Sequence, residues 1–357
     1  MHKNCYLFKE DHIPEKAKFP VIDAHNHIWG NWSSVPDIVR VMDDVGVAGY
    51  CDLTSNISLS FQDGGYVVSA GNIDDFYTFC SKPYPGRFYN FTSATFAVPA
   101  DKPLINDYTE FVDKTVNMLR EHVAKGAKGL KILKELGLKY RDVQGNLIGL
   151  DDERLGPVWE ECGKLGIPVL MHQSDPYGFF QPVSEENEHY DSLLKYHDWR
   201  FSGTEYPSKT ELLERRDRMI KNHPHTVFML PHVANFAENL SYVRRLLEEN
   251  PNIYIDFSAR IDELGRQPYS ARKFMIDFQD RIYFGTDMPV SKEVYQTYFR
   301  FLETYDEYFI PPDYDGTFNR YRWHIYGLGL PDDVLKKIYY KNILKIIPDL
   351  KEHFNFN

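Results

Sequence analysis

The sequence predicts an α/β fold, a single (β/α)8 barrel of parallel strands and helices, and three observations carry that expectation. Short apolar, β-rich runs recur at 20–25, 47–54, 88–96, 128–133, 167–172, 226–231, 252–257 and 281–285, with helical segments between several of them. Eight strands alternating with helices is the pattern of a closed parallel barrel. A length of 357 residues is large for an ordinary domain and normal for such a barrel. Several runs also end on a single His or Asp, and barrels place their chemistry at strand C-termini. A doubly wound open sheet is the alternative, but no Gly-rich phosphate turn follows the first run.

The helices show in the spacing of apolar residues. Tyr108, Phe111, Val112, Thr115, Leu119 and Val123 share one face, and Gly126 follows as a stop. Leu155, Val158, Trp159, Cys162 and Leu165 form a second stripe closed by Gly166, and Leu240, Val243 and Leu247 form a third that ends near Pro251. No internal repeat, low-complexity tract or linker divides the chain, so 1–357 is read as one domain. One connection is out of proportion. His172 and His232 stand 60 positions apart, and Asp175 to Pro207 is crowded with Tyr177, Phe179, Phe180, Tyr190, Tyr196, Trp199, Phe201 and Tyr206. So many rings argue against disorder. The segment 175–225 is expected to be an insertion that covers the barrel mouth, with a dimerisation arm as the alternative.

Composition narrows the class. Hydrophobic content of 43% with 15% aromatics describes a folded protein, and a formal net charge of −11 argues against general binding to nucleic acid or anionic membranes. Cys5, Cys51, Cys80 and Cys162 are scattered without a Cys-x-x-Cys, which fits reduced thiols rather than a disulfide framework or structural zinc site. No apolar run approaches the roughly 20 residues a spanning helix needs, and the N-terminus lacks a signal-peptide core. A cytoplasmic protein is expected unless a leader has been removed. Its expected partner is a small-molecule substrate, with homo-oligomerisation open.

The candidate chemistry begins at His25-Asn26-His27, the end of the first run. Residues at i and i+2 on a strand point to one face, so both imidazoles can reach one borderline divalent ion, zinc above all and manganese second. Lys131, His172, His232 and Asp287 stand at the ends of later runs, in Gly-Leu-Lys-Ile, Pro-Val-Leu-Met-His-Gln, Phe-Met-Leu-Pro-His-Val and Tyr-Phe-Gly-Thr-Asp-Met-Pro. Asp256 and Ser258, with Arg260 just beyond, stand at the end of the seventh run. Arg260 could hold an anionic substrate or pair with Asp262 or Glu263. Trp29 could wall the pocket. Arg215, Arg216 and Arg218 lie in a mixed-charge helix and read as a solvated face.

In combination these motifs resemble the amidohydrolase superfamily, and within it the amidohydrolase-2 branch of lactonases, dicarboxylate hydrolases and non-oxidative decarboxylases. The resemblance implies a metal-dependent barrel enzyme with His25, His27, His172 and Asp287 as ligands. It implies His232 beside the metal as a catalytic group, and Asp287 also as general base. One metal with an unmodified Lys131 is the expected arrangement; a carboxylated Lys131 bridging two metals is the alternative. Such a ligand set would activate water for hydrolysis of an amide, lactone or ester carbonyl. Decarboxylation is the alternative, since decarboxylases often carry Glu-x-His rather than His-x-His on the first strand. A barrel that binds metal without catalysis is the remaining option. Lys131, Trp29, Tyr177, Phe179, Phe180 and Arg260 are the candidate substrate contacts.

Overall fold

The computed structural model describes residues 6–62, 65–311, 323–354 and 356. Its strands run in the predicted order. Parallel β1 (Val21–Asn26), β2 (Val47–Asp52) and β5 (Phe88–Asn90) form one sheet. Parallel β6 (Leu130–Ile132), β7 (Val169–Met171), β8 (Phe228–Leu230) and β9 (Ile253–Ile255) form another. A parallel bridge between Thr92 and Leu130 joins them. The circle is completed by 282–285, which bridges Ile255 through Ile282 and accepts the Ala24 amide at the Phe284 carbonyl at 3.0 Å. This is a TIM-type (β/α)8 barrel.

Alternation within the strands separates two apolar layers. Ile22, Ala24, Cys51, Leu53, Leu170, Met229 and Tyr283 pack together inside the barrel, and the C-terminal residues Leu344, Ile347 and Phe354 join this cluster. Val21, Val47, Val169 and Phe228 face the surrounding helices instead. Cys51, Cys80 and Cys162 are buried free thiols; Cys5 lies outside the described residues. No helix among the described residues is long and apolar enough to cross a membrane.

The predicted helices form where their stripes require. Tyr108–Lys125 is capped at its start by the Asp107 side chain and at its end by Gly126, whose φ of 119° suits the left-handed cap. Two features depart from the sequence reading. An antiparallel hairpin, β3 (Ile57–Gln62) and β4 (Gly65–Ala70), rises after β2. The second is that the far part of 175–225 is a regular helix, Lys209–Asn222, leading into β8. Only the part before it is irregular, built from the short turns Tyr177–Phe180, Tyr190–Lys195 and His197–Trp199.

Candidate metal centre

Four predicted residues converge at the C-terminal mouth. The Asp287 carboxylate lies 3.7 Å from His25 Nε2, 3.3 Å from His27 Nε2 and 3.5 Å from His232 Nε2. Atoms of His25, His232 and Asp287 all lie within 4.8 Å of one another. The approach of the last strand to His25 depends on Gly285, where a Cβ would sit 2.5 Å from the His25 Cβ. That close contact explains a glycine two residues before the aspartate.

The partners of the Nδ1 atoms fix the tautomers. His25 Nδ1 donates to Asp256 Oδ2 at 2.7 Å, and His232 Nδ1 donates to the Ser258 carbonyl at 2.7 Å. Thr54 gives its hydroxyl hydrogen to Asp52, so His27 Nδ1 is the donor in its 3.2 Å contact with Thr54 Oγ1. These assignments follow from the acceptors rather than from visible hydrogens. Each ring is left with an Nε2 lone pair turned toward an anionic carboxylate. His25 Nε2, His232 Nε2 and the nearby His172 Nε2 are buried without a hydrogen-bond partner among the described residues.

Lone pairs facing a carboxylate repel it unless a cation lies between them. Two ligand atoms about 2.1 Å from one ion in a tetrahedral set are separated by about 3.4 Å. The observed 3.3–3.7 Å spacing therefore leaves room for a divalent ion between Asp287 and these imidazoles, with His25, His232 and Asp287 the mutually closest three and His27 reaching the other carboxylate oxygen. Asp256 supports the set by orienting two of its members. Its Oδ2 accepts from His25 and its Oδ1 accepts the His232 amide at 2.8 Å.

Protonation follows burial. Desolvation lowers His27 to about 4 and holds His172 and His232 below the usual imidazole range. For Asp287 burial works upward, but the surrounding imidazoles outweigh it and hold the carboxyl well below the usual range. The lowered values of His27, His172 and His232 favour neutral rings at these three positions at neutral pH.

His172 stands beside this cluster rather than within it. Its ring centroid is 4.6 Å from that of His232, and its Nε2 faces Asp175 Oδ1 at 3.4 Å. Asp175 is paired with Lys134 at 2.5 Å. Lys131 is 1% exposed, and no hydrogen bond or ion pair engages its ammonium among the described residues. Burial lowers it to about 8, against the opposing pull of Asp287 and Asp256. Trp29 stacks on His27 with centroids 4.3 Å apart. With Leu59, Tyr66 and Leu133 it builds an apolar wall.

Of the other candidates, Arg260 is buried, donates to the Ala259 carbonyl and lies close enough to His232 to help lower its pKa. Phe179 and Phe180 belong to the insertion's own small core with Leu138, Leu193, Phe201 and Leu212. Tyr177 stacks on Phe236 and is half exposed. Arg216 corrects the sequence reading: it is fully buried and bonded to Asp217, Tyr242 and the Ala234 carbonyl, while its helix neighbour Arg218 is the exposed one. Sequence reasoning missed Thr54, Asp175, Lys134 and Tyr66, none of which stands at a diagnostic spacing. Tyr66 comes from the unanticipated hairpin and donates to Glu135 Oε1.

Comparison with known proteins agrees with this fold. The amidohydrolase-2 family model matches residues 22–348. A TIM-barrel protein of Bordetella bronchiseptica is similar at TM-score 0.55 and 15% identity, covering 93% of this chain and 99% of that one. A dihydroxybenzoic acid decarboxylase of Polaromonas sp. JS666, solved with manganese and the inhibitor 2-nitroresorcinol, is similar at 0.55 and 14%, covering 95% and 100%. A 2,6-dihydroxybenzoate decarboxylase from Rhizobium follows at 0.51 and 14%, covering 94% and 99%. At such identities the likeness is one of fold. No curated protein matches the chain. Matched over nearly its whole length, the chain belongs to the amidohydrolase-2 family, a family of enzymes.

Proposed function

We propose that this enzyme uses one divalent ion, zinc or manganese, to remove CO2 non-oxidatively from a small planar carboxylic acid. The observation that carries the reading is Lys131, a buried ammonium near Asp287 that forms no ion pair or hydrogen bond with a carboxylate among the described residues. A buried cation without a direct partner is costly to keep. A substrate carboxylate would supply the missing partner. The apolar wall of Trp29, Leu59, Tyr66 and Leu133 offers a flat ring a surface next to that charge. Decarboxylation is also the reaction named for the Polaromonas and Rhizobium proteins of similar fold.

His25, His27 and Asp287 would hold the ion. The family resemblance names His172 as the fourth ligand, whereas the distances favour His232. A bound ion would supply a Lewis acid that orients substrate oxygens. In the reaction the bond between the substrate carbon and its carboxylate breaks, CO2 leaves, and the carbon takes one proton. Asp287, which has two carboxylate oxygens and a side chain that is 26% exposed, would carry that proton. Lys131 holds the carboxylate that departs.

The test is CO2 release from a panel of hydroxybenzoic and related aryl acids by protein loaded with manganese or zinc. Release that disappears in Lys131→Met is expected. A second reading, hydrolysis of a carboxylate-bearing lactone, ester or amide, is favoured by the His25-x-His27 pair. Turnover of lactones or N-acyl compounds without CO2 release from any acid would replace the first reading with it.

A further inference from the structure

The turn after β8 is left-handed over four successive residues. His232, Val233, Ala234 and Asn235 have φ of 58°, 57°, 52° and 61°, and none is glycine. L-residues resist this conformation, β-branched Val233 most of all. Such strain persists only where the surroundings over-determine it.

Two sets of bonds do so. From the barrel, Asp256 accepts the amides of His232 and Val233 at 2.8 and 2.7 Å. From outside, the carbonyls of Ala234 and Asn235 accept Arg216 Nη1 at 2.7 Å and Lys209 Nζ at 2.6 Å. Both cations come from the helix Lys209–Asn222, seven positions apart and so on one face. Lys209 also donates to Ser174 Oγ at 2.9 Å and to the Asp175 carbonyl at 2.5 Å, in the loop just past His172. It is 3% exposed, and all three of its acceptors are neutral oxygens. Burial lowers it to about 8. An ammonium buried against two carbonyls, a hydroxyl and the Phe236 ring, with no hydrogen-bonded carboxylate, is a poor stabiliser in itself.

We propose that Lys209, with Arg216 beside it, is a positioning residue that clamps the left-handed turn so that the His232 ring faces Asp287, and that ties this turn to the loop behind His172. The catalytic weight of the clamp rests on the proposed function; the clamp itself is tested without metal or substrate.

The experiment measures backbone hydrogen exchange and the imidazole nitrogen spectrum of His232 in the full-length, metal-free protein and in Lys209→Met. The expected result is at least tenfold faster exchange confined to 232–236, with the strand amides of β6 and β7 unchanged. The His232 ring should also lose its single Nδ1-protonated pattern. Ala234→Gly relaxes the left-handed strain, so Lys209→Met in that background should recover most of the protection. If Lys209→Met does not fold, Arg216→Lys keeps a cation on the same face, and exchange several-fold faster at 234–236 is expected. Unchanged exchange and ring spectrum in the folded variant overturn the proposal. Acceleration spread evenly over the strands also overturns it, by assigning these cations to general stability. Manganese binding to the wild type is followed separately, so its failure would remove the proposed function and leave the clamp standing.

Discussion

Replacing Lys131 by methionine should make the metal-free protein more stable and leave it unable to act. The side chain is 1% exposed, and burial lowers its pKa from 10.5 to about 8. Each tenfold difference corresponds to about 1.4 kcal/mol, so keeping the ammonium charged inside the fold costs up to about 3 kcal/mol. At pH 7 the lysine is protonated in both folded and unfolded chains, so that cost is fully present. As pH rises through 8 the folded protein sheds the proton while the unfolded chain keeps it to about 10.5, and wild-type stability recovers. Urea unfolding at pH 7 should therefore show Lys131→Met more stable by about 1–3 kcal/mol, the range allowing for imperfect packing of the thioether. The gap should close between pH 8 and 10.5. A variant less stable than wild type at pH 7, or a gap that does not change with pH, would refute the reasoning. The trade of stability for a poised charge is what an active site requires.

Other outcomes follow from the same geometry. Metal-free protein should lose stability as pH falls below 6.5, because unfolded imidazoles gain protons that His27, His172 and His232 refuse in the fold; for His27, with a folded pKa of about 4, the loss amounts to about 3 kcal/mol and levels off below that pH, as read by urea midpoints across the range. Gly285→Ala should press a methyl to 2.5 Å from the His25 Cβ, destabilise by about 1–3 kcal/mol and weaken metal binding in a chelator competition; an unchanged affinity would count against the packing argument. Phe179→Ala removes a ring stacked 5.2 Å from Trp199 in the insertion's core, so limited proteolysis should cut within 175–207 while the barrel remains intact. His232→Ala should strip more metal than His172→Ala, measured by elemental analysis; the reverse order would return the fourth ligand to His172.

The barrel was legible because its strands are short apolar runs with helical stripes between them; seven of the eight appear as strands where those runs lie, and the eighth, 282–285, as a bridged extended segment. The hairpin Ile57–Ala70 escaped although Asp63-Gly64 is a turn signal between two alternating runs. It stands outside the barrel's alternation of strand and helix, where that turn signal carries no barrel strand. At the site, His25, His27, His232 and Asp287 were readable as strand-end residues, and the fold brings them together. Their relative distances were not readable, because strand-end position does not say which imidazole a curved sheet carries nearest the aspartate. Arg216 shows the same limit. Among Arg215, Arg216 and Arg218 the sequence offers no distinction, yet only Arg216 reaches the carbonyl of a left-handed turn that no local propensity predicts. Lys209 was invisible for the same reason, since its acceptors are backbone oxygens of distant loops.

Lone pairs of several imidazoles gather around one carboxylate, and metal content tests that arrangement most directly. Elemental analysis of purified wild-type protein after loading and exhaustive dialysis should find about one equivalent of zinc or manganese per chain. His25→Ala and Asp287→Asn, folded by circular dichroism, should lose most of it. A wild type that retains no divalent ion, or an Asp287→Asn protein that keeps its full equivalent, would contradict the account.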